Sequence, residues 1–351
     1  MTRSSFALPT LPALPIWIGL SAALLLGGCA SNPGERNASA TPSRAAAEGQ
    51  VLGRNDRLLV YRPAAGETLP QIAQRFLGDA KRDWVIGDFN QIDRPQAGVP
   101  LVVPLKALQP LGVYDDRYQT VPILCYHRFS VNGGNKMSVS GAAFAAQLDW
   151  LAANGYHVLP LSSLEDWLAG RSALPLKSVV ITADDGYESF YRFAFPQLQR
   201  HGFPATLFVY TDFVGAPDAV SWPQLQEMTA SGLVDVQPHS RTHRNLIERQ
   251  ADETEARYQQ ALVNEVQEPS ALLARKLDHP QHLYAYPYGD TNAAVLKVLT
   301  NQHFDLAVTV TPGGNPFFAQ PYMLRRTMIF GDMSLDDFKA RLQISRALDA
   351  R

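Results

Sequence analysis

The chain has 351 residues, enough for two domains, and 46% of them are hydrophobic against 18% charged. This balance supports a packed core and excludes a chain that is disordered throughout. The formal net charge of −2 argues against a general nucleic-acid binder, and only two cysteines exclude a disulfide-stapled scaffold or a thiolate zinc cluster.

Residues 1–28 are predicted to be a signal peptide, because one early arginine precedes the uncharged, apolar stretch Ile16–Gly28. The sequence Leu26-Gly27-Gly28-Cys29 resembles the lipobox of bacterial lipoproteins. The resemblance implies lipidation at Cys29 and a membrane partner through that lipid, with an outer-membrane location facing the periplasm. An ordinary signal peptide or an uncleaved anchor is the alternative. Residues 29–56, rich in Ala, Ser, Asn, Gly and Arg, are predicted to be a flexible tether.

Residues 57–105 are predicted to form a small β-α-α-β module. A strand candidate at 58–61 is followed by a helix with Thr68 as its N-cap, a second short helix that ends before Asn90, and a strand at 101–104. The Gly-Glu-Thr-Leu start, Asn90 and the G-x-x-L-x-V-P finish resemble a LysM module. LysM modules bind glycans that contain N-acetylglucosamine, although a drifted copy could have lost that binding. Residues 106–118 are predicted to be a linker.

From residue 119 to 345, apolar strand candidates alternate with helical patterns. One helix is predicted over 140–154, with Ser140 as its cap and Gly155 as its stop. The alternation predicts an α/β fold with a parallel sheet, either open or closed into a barrel, whose active groups gather at the C-terminal ends of strands. The strand candidates are Val121–Tyr126, Ser178–Ala183, Ala205–Tyr210, Leu233–Gln237, Leu283–Tyr286 and Leu306–Val310.

Three of these strand candidates end in residues that can do chemistry, and the last of them, Leu283–Tyr286, runs into Pro287-Tyr288-Gly289-Asp290. One runs into Asp184 and Asp185, whose adjacent carboxylates would raise each other's pKa unless a metal ion neutralised one. Another precedes His239 and His243, whose spacing places both imidazoles on one side of a helical turn. Two histidines and one carboxylate make a three-ligand site that suits catalytic zinc and other divalent metals. Taken singly, each motif could instead be a turn or a surface helix.

At these residues the sequence resembles the NodB-type polysaccharide deacetylases, carbohydrate esterases that remove N-acetyl groups from glycans. Thr182–Gly186 resembles the T-F-D-D-G motif, and His239–His243 fits H-[ST]-x-x-H. Ala285–Gly289 resembles R-x-P-x-G, and Pro122–Arg128 is typical of the family's opening strand. The family's fold, a distorted (β/α)7 barrel, is therefore expected here, preceded by the LysM-like module.

The resemblance also implies a role for each motif residue. Asp185, His239 and His243 would hold the metal, with Zn²⁺ as the first expectation and Co²⁺, Ni²⁺ or Fe²⁺ as alternatives. Asp184 would be the general base, and the backbone N–H of Tyr288 would stabilise the oxyanion. Contact with substrate is expected at Pro287, Tyr288 and Trp222, while Ser240 is expected to brace the histidine loop.

The sequence departs from the family pattern at two places. Ala285 replaces the arginine that orients the base in many members, and no histidine stands in the late motif at Leu306–Val308, the family's source of the general acid. His127, directly after the first strand candidate, could be the acid or could only brace the rim. Alternatively, Asp184 could return its proton to the leaving amine.

The function expected is metal-dependent N-deacetylation of an N-acetylglucosamine-containing polysaccharide by a lipid-anchored monomer that binds no nucleic acid. Poly-N-acetylglucosamine exopolysaccharide and peptidoglycan both remain open as the substrate. The alternatives are a non-catalytic glycan-binding lipoprotein and a hydrolase of another acyl bond. Cys125, in an apolar run, is expected to be a buried and inert thiol.

Overall fold

The computed structural model describes residues 49–133 and 135–348. The predicted signal peptide, Cys29 and most of the predicted tether lie outside this range. Within it, no helix is both long and apolar enough to cross a membrane.

The N-terminal module is a three-stranded antiparallel sheet, in the order β1-β2-β3, with two helices. The predicted β-α-α-β order over 57–105 is confirmed: Thr68 caps the first helix, and its N–H donates to the Gln71 side chain at 2.9 Å. A small core that includes Tyr61, Ile72 and Val103 joins helices to sheet. The elements are β1 (Gln50–Arg54), β2 (Leu58–Arg62), α1 (Leu69–Leu77), α2 (Asp83–Asn90) and β3 (Leu101–Pro104).

The boundaries predicted for the tether and the linker are wrong. Residues 50–54, assigned to the tether, form β1, which pairs with β2. All five residues of β1 are exposed, so this edge strand is held by backbone hydrogen bonds and has no apolar alternation to reveal it. The linker ends before Arg117, because Arg117–Gln119 forms a strand that pairs with Ser345–Ala347 near the end of the chain.

The larger domain alternates short strands with helices. Its strands are β4 (Arg117–Gln119), β5 (Ile123–Tyr126), β6 (Arg128–Ser130), β7 (Ser138–Ser140), β8 (His157–Leu159), β9 (Ser178–Ala183), β10 (Ala205–Val209), β11 (Val234–Pro238), β12 (Leu283–Ala285), β13 (Leu306–Val308), β14 (Thr327–Met328) and β15 (Ser345–Ala347). Its helices are α3 (Gly141–Ala153), α4 (Ser163–Leu168), α5 (Phe195–His201), α6 (Trp222–Ala230), α7 (Glu255–Leu277), α8 (Ala293–Asn301) and α9 (Leu335–Ala340). Ser140 caps α3 as predicted, accepting a hydrogen bond from the Ala143 N–H at 3.1 Å.

The strands form a parallel sheet in two parts. Five strands lie in the order β11-β10-β9-β5-β14, and β8 also pairs with β9. Strands β12 and β13 form a separate parallel pair, and within the described residues no ladder joins this pair to β11. Strands β6 and β7 form a further parallel pair, and β4 pairs with β15 in antiparallel orientation. The α/β class is therefore confirmed, whereas the closed sevenfold barrel stays a prediction.

The central strands are buried on both faces, which explains their continuous apolar sequences. All six residues of β9 and all five of β10 are buried. This packing fixes the C-terminal ends of the strands, where the chain turns into Asp184 and His239.

Candidate active site and metal centre

Asp185, His239 and His243 come together beyond the ends of β9 and β11. The His243 Nε2 atom lies 3.2 Å and the His239 Nε2 atom 3.6 Å from Asp185 Oδ1. One ligand atom from each residue lies within 4.8 Å of the other two. The residues predicted to bind metal therefore form one compact group.

The backbone achieves this arrangement with left-handed residues instead of the predicted helical turn. Asp185, Ser240 and His243 have φ values of 74°, 71° and 63°. The Ser240 hydroxyl accepts a hydrogen bond from the His243 N–H at 2.9 Å and so closes the loop. The helical-turn prediction is wrong because two residues in this loop turn the chain against the helical direction, although both imidazoles still reach the same point.

His239 is held in the form that a metal ligand requires. Its Nδ1 atom lies 2.7 Å from the Ala285 carbonyl oxygen. Since a carbonyl can only accept, Nδ1 carries the proton and Nε2 offers its lone pair to the group. Burial lowers the pKa of His239 despite the nearby carboxylates, which favours the neutral imidazole.

The donor set fits a divalent metal ion. Ligand atoms around a tetrahedral zinc ion lie about 3.3 Å apart, given bonds of about 2.0–2.1 Å. The two separations from Asp185 Oδ1, 3.2 and 3.6 Å, bracket this value. A carboxylate and two imidazoles suit zinc and its transition-metal neighbours and leave a coordination position open.

Asp184 lies beside this group in a different electrostatic environment. Arg326 donates to both of its oxygens, Nη1 to Oδ1 and Nη2 to Oδ2, each at 2.6 Å. Burial opposes ionisation of Asp184, but the Arg326 guanidinium and the neighbouring His239 outweigh it, so its pKa lies well below the usual range. The two adjacent aspartates are thus neutralised separately: Asp184 by an arginine, and Asp185 by whatever the histidine group binds.

Arg326 is the functional residue that the sequence did not reveal. It is fully buried one residue before β14, and its Nε donates to the Thr309 carbonyl at 2.8 Å. Arg326 thus contacts Asp184 from a different part of the chain from Ala285, where the family motif has its arginine. The only sequence signal was an arginine in the apolar surroundings of Met323-Leu324-Arg325-Arg326-Thr327-Met328.

Two further groups reach Asp184. Cys125 is fully buried, as predicted, and its Sγ lies 3.6 Å from Asp184 Oδ2. Burial raises the pKa of this thiol well above its usual value, so it stays protonated. A ring nitrogen of His127 lies within 4.8 Å of both the thiol and the carboxylate. The structure thus places His127 beside Asp184, the position that both of its predicted roles require.

Aromatic rings line the group on its open side. Tyr288 is 59% exposed, and its ring packs edge-on against His243 at 4.9 Å between centroids. Tyr210 contacts the same imidazole at 5.1 Å. Burial, followed by the charge of Asp185, raises the pKa of Tyr210 to about 12. The exposed ring of Tyr288 is suited to packing against a sugar.

The Pro287–Gly289 turn presents Tyr288 through tight backbone geometry. Tyr288 itself has φ 61°, and Gly289 has φ 76° with Val310 so close that a Cβ would lie 2.4 Å from its side chain. Trp222 begins α6, packs against the main core and lies 5.6 Å beneath the Lys276 ammonium. Its predicted contact with substrate therefore has no support from its surroundings.

Comparison with known proteins agrees with this geometry. The sequence profile described as polysaccharide deacetylase matches residues 171–307. The chain is similar to YxkH of Bacillus subtilis, with 28% identity over 223 residues that cover 64% of this chain and 76% of YxkH. It is also similar to the poly-β-1,6-N-acetyl-D-glucosamine N-deacetylase of Escherichia coli K12, with 26% identity over 59% of this chain. The matched region covers 36% of that enzyme.

The fold is shared with solved structures. IcaB from Ammonifex degensii superposes with a TM-score of 0.57 and 31% sequence identity, covering 64% of this chain and 97% of IcaB. The residues matched by the polysaccharide deacetylase profile, 171–307, lie within the larger domain.

Proposed function

Because the chain belongs to the polysaccharide deacetylase family, we propose that it hydrolyses N-acetyl groups on a polysaccharide containing N-acetylglucosamine. The observation that carries the proposal is the juxtaposition of the Asp185–His239–His243 group with the buried Asp184–Arg326 pair. A metal-binding group beside an ionised, immobilised carboxylate is the pairing that hydrolysis of an amide needs.

The residues around the open position divide the chemistry between them. A bound divalent ion would polarise the acetyl carbonyl and lower the pKa of the attacking water. Asp184, kept ionised by Arg326, accepts the proton that this water loses. The backbone N–H of Tyr288 donates to the oxyanion as the carbonyl becomes tetrahedral. We assign zinc as the metal, on the match between the donor set and zinc's preferences.

Breakdown of the tetrahedral species requires a proton on the leaving amine. His127 lies beside Asp184 and is the nearest histidine outside the metal-binding group. We assign it the role of general acid, in place of the histidine absent from the late motif at Leu306–Val308. If His127 is not the donor, Asp184 must return the proton that it took in the first step.

We propose poly-β-1,6-N-acetylglucosamine as the substrate. Support comes from the E. coli relative named for that activity and from the exposed Tyr288 and the half-buried Tyr210 beside His243. We also propose that the chain is anchored to the outer membrane, facing the periplasm, through a lipid on Cys29. We propose further that the module at 57–105 binds glycan as LysM modules do. The lipobox-like sequence and the βααβ order support these two assignments.

Acetate release by the zinc-loaded chain tests the substrate. We expect release from β-1,6-linked N-acetylglucosamine oligomers, and at least about tenfold slower release from β-1,4-linked oligomers and from peptidoglycan fragments, a difference of about 1.4 kcal/mol in transition-state binding. Faster release from peptidoglycan would overturn the choice of polymer. Release from O-acetyl esters alone would overturn N-deacetylation itself.

A further inference from the structure

A second group of metal-type side chains lies away from the active site. It consists of Glu165 on α4, His282 directly before β12 and Asp305 directly before β13. Strand β12 separates the two groups, since its last residue, Ala285, accepts the hydrogen bond from His239, whereas His282 precedes its first residue. The proposed deacetylation makes no use of this second group.

The spacing within the second group matches that of the active-site group. His282 Nδ1 lies 3.2 Å from Asp305 Oδ2 and 3.7 Å from Glu165 Oε1, against 3.2 and 3.6 Å in the Asp185 group. All three ligand atoms lie within 4.8 Å of one another. These separations are close to the value of about 3.3 Å for a tetrahedral ion with bonds of about 2.0–2.1 Å.

Glu165 adds a second observation, a carboxylate oxygen without a hydrogen-bond partner among the described residues, on a side chain that is 24% exposed. This oxygen, Oε1, is itself buried. A protonated His282 would not satisfy it, because 3.7 Å is too long for a hydrogen bond and Nδ1 lies closer to Asp305. The nearby Arg171 does not satisfy it either, since its Nη2 contacts Asp166 at 2.6 Å. A divalent cation among the three donors would satisfy Oε1 and neutralise both carboxylates.

The backbone holds His282 firmly in place for such a role. Its N–H donates to the side-chain oxygen of the buried Gln237 at 3.0 Å, and its carbonyl accepts from the Asp305 N–H at 2.8 Å. Gln237 lies on β11, so His282 is tied to one strand by its N–H and to the start of another by its carbonyl. Donors fixed in this way lose little conformational freedom when an ion binds.

We propose that Glu165, His282 and Asp305 bind a second divalent metal ion, with zinc as the fitting ion because an imidazole nitrogen is a poor ligand for Mg²⁺ or Ca²⁺. The ion fastens α4 to the β12–β13 pair and has a structural role. Burial raises the pKa of Glu165, which is consistent with a carboxylate that lacks a fixed positive partner.

Zinc stoichiometry tests the proposal directly. The full chain is stripped with a chelator, dialysed against Zn²⁺ alone and analysed by mass spectrometry of the metal. We expect two ions per wild-type chain, one for His282→Ala, one for His239→Ala and none for the double variant. Asp305→Asn, at a side chain that is 49% exposed, repeats the test with less risk to folding. His201→Ala is the matched control: it removes a histidine–aspartate pair, 2.9 Å apart, and should still bind two ions.

A thermal measurement separates the second site from the active site. In the His239→Ala background, Zn²⁺ should raise the unfolding temperature, and adding His282→Ala should abolish that rise. The number of zinc ions bound per chain should fall by one when His282 is replaced. This fall is expected whether or not the active site itself binds zinc. Equal stoichiometry in the wild type, His282→Ala and Asp305→Asn would overturn the proposal.

Discussion

The charge on Asp184 depends on one distant arginine. Arg326 and Asp184 lie 142 positions apart, and both are buried. Breaking a buried pair on one side leaves an uncompensated charge, at a cost of about 3–5 kcal/mol. The pair therefore contributes both to stability and to the ionised state of Asp184.

Replacing Arg326→Met should show both effects. We expect a loss of about 3–5 kcal/mol in the free energy of unfolding at pH 7, measured in urea. The acid limb of kcat should also move to higher pH, because burial then raises the pKa of Asp184 with no guanidinium to oppose it. With Arg326 present the carboxyl pKa is depressed, so its stabilisation is complete above the unfolded value of about 4 and is lost as pH falls below it.

The exposed neighbour Arg325 offers the control. Arg325→Met makes the same replacement at the adjacent, exposed position. It should change the free energy of unfolding by no more than about 0.5 kcal/mol, and it should leave the acid limb of the kcat profile where it is. If both variants shift the acid limb equally, a general charge effect and not the Asp184 pairing sets the protonation of the base.

A separate prediction concerns His127 as the donor of the proton to the leaving amine. His127→Ala should lower kcat by about 10²–10⁴-fold and remove the alkaline limb of the pH profile, with bound zinc unchanged. His201→Ala, remote from the site on α5, should leave the profile as it is. A near-wild-type profile for His127→Ala would assign both proton transfers to Asp184.

Sequence motifs predicted the residues that directly follow visible apolar strands and missed Arg326, which no local pattern marks. Asp185, His239 and His243 follow strands whose apolar runs are visible, so their convergence could be expected. Arg326 meets Asp184 only through the fold, and no local pattern joins β9 to the residue before β14. Within the histidine loop, the four-residue spacing indicated the right partners but the wrong backbone, because left-handed residues also bring such side chains together.

At the scale of elements, burial decided what could be predicted. The fully buried β9 and β10 were predicted to within one residue. Strand β14, of two residues, and β8, of three, were not predicted, and β1 is exposed along its whole length. Strands β12 and β13, as short as β8, were predicted because all of their residues are buried and apolar. Hydrophobic periodicity arises where one face of an element packs against a core. Elements held only by backbone hydrogen bonds therefore show no such pattern in the sequence.

The N-terminal module also touches the larger domain. The Asp88 side chain on α2 accepts a hydrogen bond from the Leu176 N–H at 3.0 Å, just before β9. Burial raises the pKa of Asp88, which indicates that this contact is partly shielded from water. The module is therefore packed against the segment that leads into the central strand.

Deleting residues 57–105 should weaken binding to insoluble poly-N-acetylglucosamine by about tenfold or more while turnover of short soluble oligomers changes less than about twofold. Asp88→Ala is the companion variant: it breaks the contact with Leu176 and keeps the module, so it should leave glycan binding intact. Equal losses on both substrates after the deletion would show that the module supports the larger domain and does not bind glycan.

For the whole molecule, the active site is an assembly of distant segments on a rigid sheet. Asp184 and Asp185 follow β9, the histidines follow β11, Tyr288 follows β12 and Arg326 precedes β14. The central claim is that adjacent aspartates have different tasks, one binding metal with the histidines and the other accepting a proton.

Isosteric replacement of each aspartate tests that claim most directly. Asp184→Asn and Asp185→Asn differ by one position, and asparagine tolerates the left-handed backbone of Asp185. Bound zinc and acetate release are measured for both after metal stripping and reloading. We expect Asp184→Asn to bind as much zinc as the wild type with acetate release reduced at least about 100-fold, and Asp185→Asn to bind one ion fewer and to be inactive. An Asp184→Asn chain that loses zinc yet turns over normally in excess metal would contradict the account.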